Sequence, residues 1–180
     1  MKKLVQQDMK HLILDLRGNP GGYLLPAKQI LDDFLASGMP IVIVEENNGK
    51  RERTVASSGG IFENGSLYVL VDEDSASASE VIAGAIQDND RGWIIGRRTF
   101  GKGLVQQQMP LGEGDQIRLT TARYYTPTGR SIQRPYDSTN KTEYYAEVQQ
   151  RYGNGEMENV SNVPFNDSLE YTTPGGRKVY

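Results

Sequence analysis

Short apolar runs separated by glycine- and proline-bearing turns recur along this chain. The first, His11-Leu12-Ile13-Leu14-Asp15-Leu16, stops at Arg17-Gly18-Asn19-Pro20-Gly21-Gly22, which predicts a buried strand and a tight loop. A helix should follow: Pro26 suits a first turn, Ile30, Leu31, Phe34 and Leu35 fall on one face, and Gly38 is a stop signal. Pro40 to Glu45 predicts a second strand, Asn47-Asn48-Gly49 a turn, and Arg51 to Ala56 a return strand. Leu67 to Val71 reads as a third buried strand. After it come Asp72-Glu73-Asp74-Ser75, an alanine-rich helix from Ser77 to Gln87, and a further strand at Trp93-Ile94-Ile95-Gly96. Strand, loop, helix, strand in this order favours parallel pairing.

From Leu104 the pattern changes. Leu104 to Leu111 and Gln116 to Tyr124 read as two strands of a hairpin joined by Gly112-Glu113-Gly114-Asp115. Residues 137–167 are polar, with one helix predicted over Glu143 to Tyr152, and the rest is expected to be an insertion or mobile loop. The chain ends on Gly175-Gly176-Arg177-Lys178-Val179-Tyr180, a turn entering a strand with no room to finish it, so an excised piece of a longer protein is expected. The 20 glycines and 8 prolines in 180 residues fit an α/β or β-rich domain and argue against a helical bundle. One domain over residues 1–180 is the expectation.

Composition removes several classes of function. A net charge of -3, with no basic block longer than Arg97-Arg98, lacks the footprint of a nucleic-acid binder. No run approaches the ~20 apolar residues of a membrane span, and Gln6-Gln7-Asp8 occupies the place of a signal peptide's apolar stretch. The absence of cysteine excludes disulfides, thiolate ligands and a cysteine nucleophile, and His11 is the sole imidazole.

Ser77 is predicted where a buried strand gives way to a helix, a position that points a side chain into a crevice at the sheet edge. The unpaired N–H groups of the first helical turn converge there and can stabilise a negative oxygen. Ser77-Ala78-Ser79-Glu80 also fits a plain capping box, and Ser75 and Ser79 are equal candidates by composition, so the segment does not name its own nucleophile.

A serine nucleophile needs a base. His11 lies at the entrance of the first strand, whereas the loops Arg17 to Gly22 and Asp72 to Ser77 belong at the opposite edge. Lys102, in Thr99-Phe100-Gly101-Lys102-Gly103, is the other candidate, set against the bland reading of a solvated turn lysine. Neutrality near pH 7 would require its pKa to fall by ~3 from ~10.4, about 4 kcal/mol of differential solvation. Phe100, Leu104 and Val105 could dry its surroundings, and Gln106 could orient the amine without adding charge.

Three stretches in this order, Asp15-Leu16-Arg17-Gly18-Asn19-Pro20-Gly21-Gly22, Ser75-Ala76-Ser77-Ala78-Ser79-Glu80 and Thr99-Phe100-Gly101-Lys102-Gly103, resemble the carboxyl-terminal processing peptidases, also called tail-specific proteases. The resemblance extends through Ala83 to Asp88 and Leu119 to Arg130. It implies a Ser/Lys pair, with Ser77 as nucleophile, Lys102 as general base and Gln106 orienting the lysine. It also implies an oxyanion hole from the Ala78 N–H and a glycine N–H, Gly22 in preference to Gly21. Asp88 matches an acidic family position and reads as structural.

The fold implied is α/β of the ClpP/crotonase type, a mixed sheet core with flanking helices and a β-hairpin. The substrates implied are polypeptide tails, the address the periplasm or cell envelope, with no cofactor, no metal and room for a homo-oligomer. Family members usually carry a PDZ domain, and no such segment precedes Asp15. The competing readings are a non-catalytic binding or scaffold domain and a thioester-directed enzyme of the same superfamily.

Overall fold

Alternating burial along the apolar runs assigns each strand a face and leads the chain into two sheets. The computed structural model describes residues 1–136, 141–164 and 166–180; the remaining five, 137–140 and 165, belong to the predicted insertion and lie outside the described residues. In chain order the elements are α1 (Lys2–Gln6), β1 (His11–Asp15), α2 (Leu24–Asp32), β2 (Pro40–Glu46), β3 (Arg51–Val55), β4 (Ser66–Val71), α3 (Ala78–Asp88), β5 (Trp93–Gly96), β6 (Leu104–Gly112), β7 (Asp115–Tyr125), α4 (Lys141–Gly153), β8 (Tyr171–Thr172) and β9 (Lys178–Val179). The fold is mixed α/β.

The first sheet has the order β1-β4-β5 and is parallel throughout, as the strand-loop-helix-strand pattern predicts. Leu67, Val69 and Val71 turn one face of β4 onto α3, which is buried along almost its whole length. The small residues of α3 permit that burial: a Cβ on Gly84 would stand 2.8 Å from Thr126 Cγ2. Leu31, Phe34 and Leu35 close the core from α2 and the turn after it.

Two expectations change. Ile30, placed on the buried face of α2, is 40% exposed. β1, read as a buried strand, is an edge strand with Ile13 64% exposed, because the sheet packs on helices with one face only.

The second sheet, β3-β2-β7-β6, is antiparallel. β2 links it to the core through Ile41 and Val42. The β6–β7 turn places Glu113 at φ 50 and Gly114 at φ 90, two successive left-handed residues that match the twist of a tight hairpin. Pro110 is tolerated because β6 is an edge strand. Beyond Gln106 the hairpin is exposed on both faces.

The helix predicted over Glu143 to Tyr152 is α4, Lys141–Gly153, and it docks through charge. Glu147 accepts from Arg98 at 3.2 Å and Arg151 at 3.0 Å, and Arg98 forks onto Glu156 with two bonds of 2.7 Å. The Tyr152 hydroxyl donates to Glu73 at 2.6 Å, and Arg97 holds the other carboxylate oxygen at 2.6 Å. Among the described residues, no helix is long and apolar enough to cross a membrane.

Arg97 first, with help from the Tyr152 hydroxyl, depresses the Glu73 carboxyl to about 2 from an ordinary 4.5. A carboxyl that titrates lower in the folded chain contributes stability that is complete above its unfolded value and lost as pH falls through the folded one. Tyr152→Phe should therefore lower unfolding free energy by about 1 kcal/mol at neutral pH. The difference from wild type should shrink between pH 4.5 and about 2, as urea titrations at a series of pH values would record.

Candidate active site

Parallel β1 and β4 end at the same sheet edge, so the loops that leave them meet. The Asp72 carboxylate accepts from the Gly18 N–H at 2.9 Å and from the Asp74 and Ser75 N–H groups at 3.1 Å. The Ser75 hydroxyl donates to the Leu16 carbonyl at 2.7 Å, the Ser79 hydroxyl to the Asn19 carbonyl at 3.1 Å, and the Ala76 N–H to the same Asn19 carbonyl at 3.0 Å. Two of the three candidate serines are thus engaged in joining loops. Ser77 lines the cleft between them.

Ser77 sits at φ 55, ψ -116, outside the regions an ordinary side chain prefers, at a cost of order 1–3 kcal/mol. It caps α3, and Glu80 closes the capping box, so the cap and the cleft position coincide in one residue. Glu80 does more than cap. Its buried carboxylate accepts from the Ser77 N–H at 2.8 Å and the Lys102 N–H at 2.8 Å on one oxygen, and from the Thr99 hydroxyl at 2.7 Å and the Gly101 N–H at 2.6 Å on the other. The backbone nitrogens of Ser77 and Lys102 therefore stand no further apart than twice 2.8 Å. Burial pushes the Glu80 carboxyl above its ordinary value, and the donors from Thr99, Lys102, Gly101 and Ser77 oppose that rise.

The cleft, about 670 Å³, is lined by both loops and by the hairpin base, including Gly21, Gly22, Ser77, Lys102, Gln106 and Tyr124. Lys102 is half-buried, and its amine makes no hydrogen bond or ion pair among the described residues. Neither it nor Gln106 is hydrogen-bonded to the Ser77 hydroxyl there, and the Gln106 side chain is exposed. Leu104 lines the cleft as expected, but Phe100 does not: its ring lies under the Arg134 guanidinium, 4.2 Å from centroid to charge.

The two glycines differ. Gly21 has φ 84, and a Cβ there would fall 2.3 Å from the Ala76 carbonyl oxygen and 2.7 Å from the Ala78 nitrogen, so only glycine lets this loop approach the serine turn. Its N–H is taken by the Asn19 side chain at 2.9 Å. The N–H groups of Gly22 and Ala78 have no hydrogen-bond partner among the described residues.

His11 lies at the far end of β1, outside the cleft. Asp88, fully buried, accepts from the Thr128 hydroxyl at 2.6 Å and from Arg130 at 2.9 Å, a structural role. Among the described residues no group of three or more His, Cys, Asp or Glu side chains could hold a metal ion.

Two residues of the site escaped the sequence reading. Glu80 was visible only as a cap. Tyr124, 4% exposed, turns its hydroxyl toward Ser77; burial raises its pKa, and the Ser77 contact partly offsets this. The signal available for Tyr124 was its place at the hairpin base, whose N–H donates to the Gly103 carbonyl at 2.8 Å. The Ser77 hydroxyl and the Lys102 amine on one concavity, with N–H groups unpaired among the described residues at Gly22 on its wall and at Ala78 next to Ser77, are parts from which acyl transfer can be built.

Similarity to known proteins gives the chain a family. Residues 1–139 match the profile described as peptidase family S41. The chain is 44% identical over 135 residues to the carboxy-terminal-processing protease of Bartonella bacilliformis, covering 73% of this chain and 30% of that protein. It is 42% identical over 130 residues to the chloroplastic C-terminal processing peptidase of Tetradesmus obliquus, covering 72% of this chain and 28% of that one. A solved photosystem II D1 C-terminal processing protease superposes with a TM-score of 0.65 at 39% identity, over 73% of this chain and 34% of that structure. The chain thus spans about a third or less of the length of these relatives. With a family profile matched over residues 1–139, which include every residue of the cleft, the chain belongs to peptidase family S41.

Proposed function

We propose that the cleft is the catalytic centre of a serine endopeptidase that cuts polypeptides near their C-termini through a Ser77/Lys102 dyad. The observation that carries this reading is the Glu80 carboxylate, which bonds the backbone of both residues at once and so fixes the serine turn against the lysine loop. Neutral Lys102 takes the proton of the Ser77 hydroxyl as the serine oxygen bonds to the scissile carbonyl carbon. The N–H groups of Ala78 and Gly22 receive the oxyanion, and Gly21 sets the loop that carries Gly22. The lysine ammonium then returns its proton to the leaving amine as the C–N bond breaks. Water attacks the acyl-enzyme ester by the reverse relay, with Gln106 orienting the amine throughout.

Substrate binding is expected to bring the Lys102 amine to within ~2.6–3.2 Å of the Ser77 hydroxyl, the reach that proton transfer needs. A fold related to the ClpP/crotonase superfamily and an address in the periplasm or cell envelope belong with this reading.

Lys102→Ala, Lys102→Arg and Ser77→Ala should each reduce cleavage by the full-length protein at least ~10³-fold while circular dichroism stays unchanged. A serine-directed phosphonate should label Ser77 of the wild type. Full activity in the lysine variants would refute the base, and a folded protein that the phosphonate never labels would favour a binding module.

Glu80→Gln tests the coupling. The amide offers one acceptor oxygen to four donors, so unfolding free energy should drop by about 2 kcal/mol. kcat/KM should fall more than ~10-fold as the two loops lose their fixed spacing. Unchanged kcat/KM in a variant that has lost the stability would separate Glu80 from catalysis.

A further inference from the structure

The cleft beside Ser77 holds a guanidinium and no acid: Arg118 is among its lining residues, and no Asp or Glu is. Arg118 is exposed and its guanidinium makes no ion pair or hydrogen bond among the described residues. It differs in this from the arginines behind the site: Arg97, Arg98, Arg130 and Arg134 are each held by a carboxylate. An uncommitted guanidinium in a cleft without acids is a recognition element for a carboxylate, which it can take in two parallel hydrogen bonds.

The hairpin register sets where that carboxylate would lie. Arg118 pairs with Gln108 and Thr120 with Gln106, so Arg118 shares a sheet face with Leu104, Gln106 and Gln108, all of which line the cleft. β6 is the edge strand of its sheet, and an extended peptide can lie along it. From Leu104 to Gln108 such a peptide advances ~13 Å at ~3.3 Å per residue. With the step from Ser77 to the hairpin base added, the distance corresponds to about four to six substrate residues.

We propose that Arg118 is a specificity-determining residue that binds a substrate carboxylate about four to six residues from the scissile bond. The cleft then prefers polypeptides with an acidic side chain, or a free chain end, at that distance. This rests on the peptidase reading above and names part of its substrate class.

The test uses the full-length protein and one neutral fluorogenic peptide that it cleaves, made in several forms. One has an amidated end, one carries a single glutamate about five residues from the cut on either side, and one ends in a free α-carboxylate about five residues beyond it. Wild-type kcat/KM should be about 5–10-fold higher for a carboxylate form than for the amidated neutral peptide, with the gain shrinking as salt is raised. Arg118→Ala should abolish the gain, so that carboxylate and neutral forms share one kcat/KM; Arg118→Glu should invert it. Which form gains distinguishes an acidic side chain from a chain end.

The same peptides titrated into Ser77→Ala protein, read by fluorescence anisotropy, should show the same ranking without turnover. Equal values for all forms in the wild type, or a gain that survives in Arg118→Ala, overturn the subsite and leave the peptidase reading intact. Failure of that reading shows separately, as cleavage that persists in Ser77→Ala.

Discussion

The Glu80 carboxylate lies out of water between the first turn of α3 and the loop Thr99 to Gly103 and bonds the backbone of both Ser77 and Lys102, beside a direct bond from the Phe100 N–H to the Ser75 carbonyl at 3.0 Å. A buried carboxylate is costly unless its oxygens are satisfied, and among the described residues no cation is paired with this one. Three backbone N–H groups and one hydroxyl supply four donors, the full acceptor capacity of the group. Two of those N–H groups belong to the residues whose side chains open on the cleft. The arrangement is directional, so a shift of either loop would strip donors from an oxygen that has no water to replace them.

That constraint works because the other contacts at the sheet edge leave little freedom. Asp72 and Asn19 bind the two strand-end loops to one another, and Gly21 allows them to touch. Ser77 is left with a strained backbone at the junction, sustained by the helix start that it caps and by the Glu80 carboxylate bonded to its N–H. The position of the cleft therefore follows from the parallel sheet, and its chemistry from the residues the loops carry.

On its far side the lysine loop is backed by arginines. Arg134, buried, lies between the rings of Phe100 and Tyr144, 4.2 and 4.0 Å from their centroids, and Arg151 donates to the Thr99 carbonyl at 2.8 Å. Glu147 of α4 joins Arg98, Arg134 and Arg151. α4 therefore braces the loop that holds Lys102 from behind, and Tyr152 extends the same support to Glu73, four residues before Ser77. The network holds the site from outside the cleft.

Local rules were enough for much of the fold. Short apolar runs bounded by turns located β1, β2, β4 and β5, turn chemistry located the return strand β3 and the β6–β7 hairpin, and an alanine-rich stretch with a cap located α3, because each of these signals is written within a few neighbouring residues. Ser77, Lys102 and Gln106 stood out through three motifs in order, whereas composition alone left three serines open. The tertiary structure decided which hydroxyls are spent joining loops, that Glu80 couples the serine turn to the lysine loop, that Phe100 packs under Arg134, that β1 is an edge strand, and that α4 docks on the core. These are contacts between residues far apart in the chain, where a partner is chosen by packing and charge in three dimensions and leaves no periodic trace in the sequence.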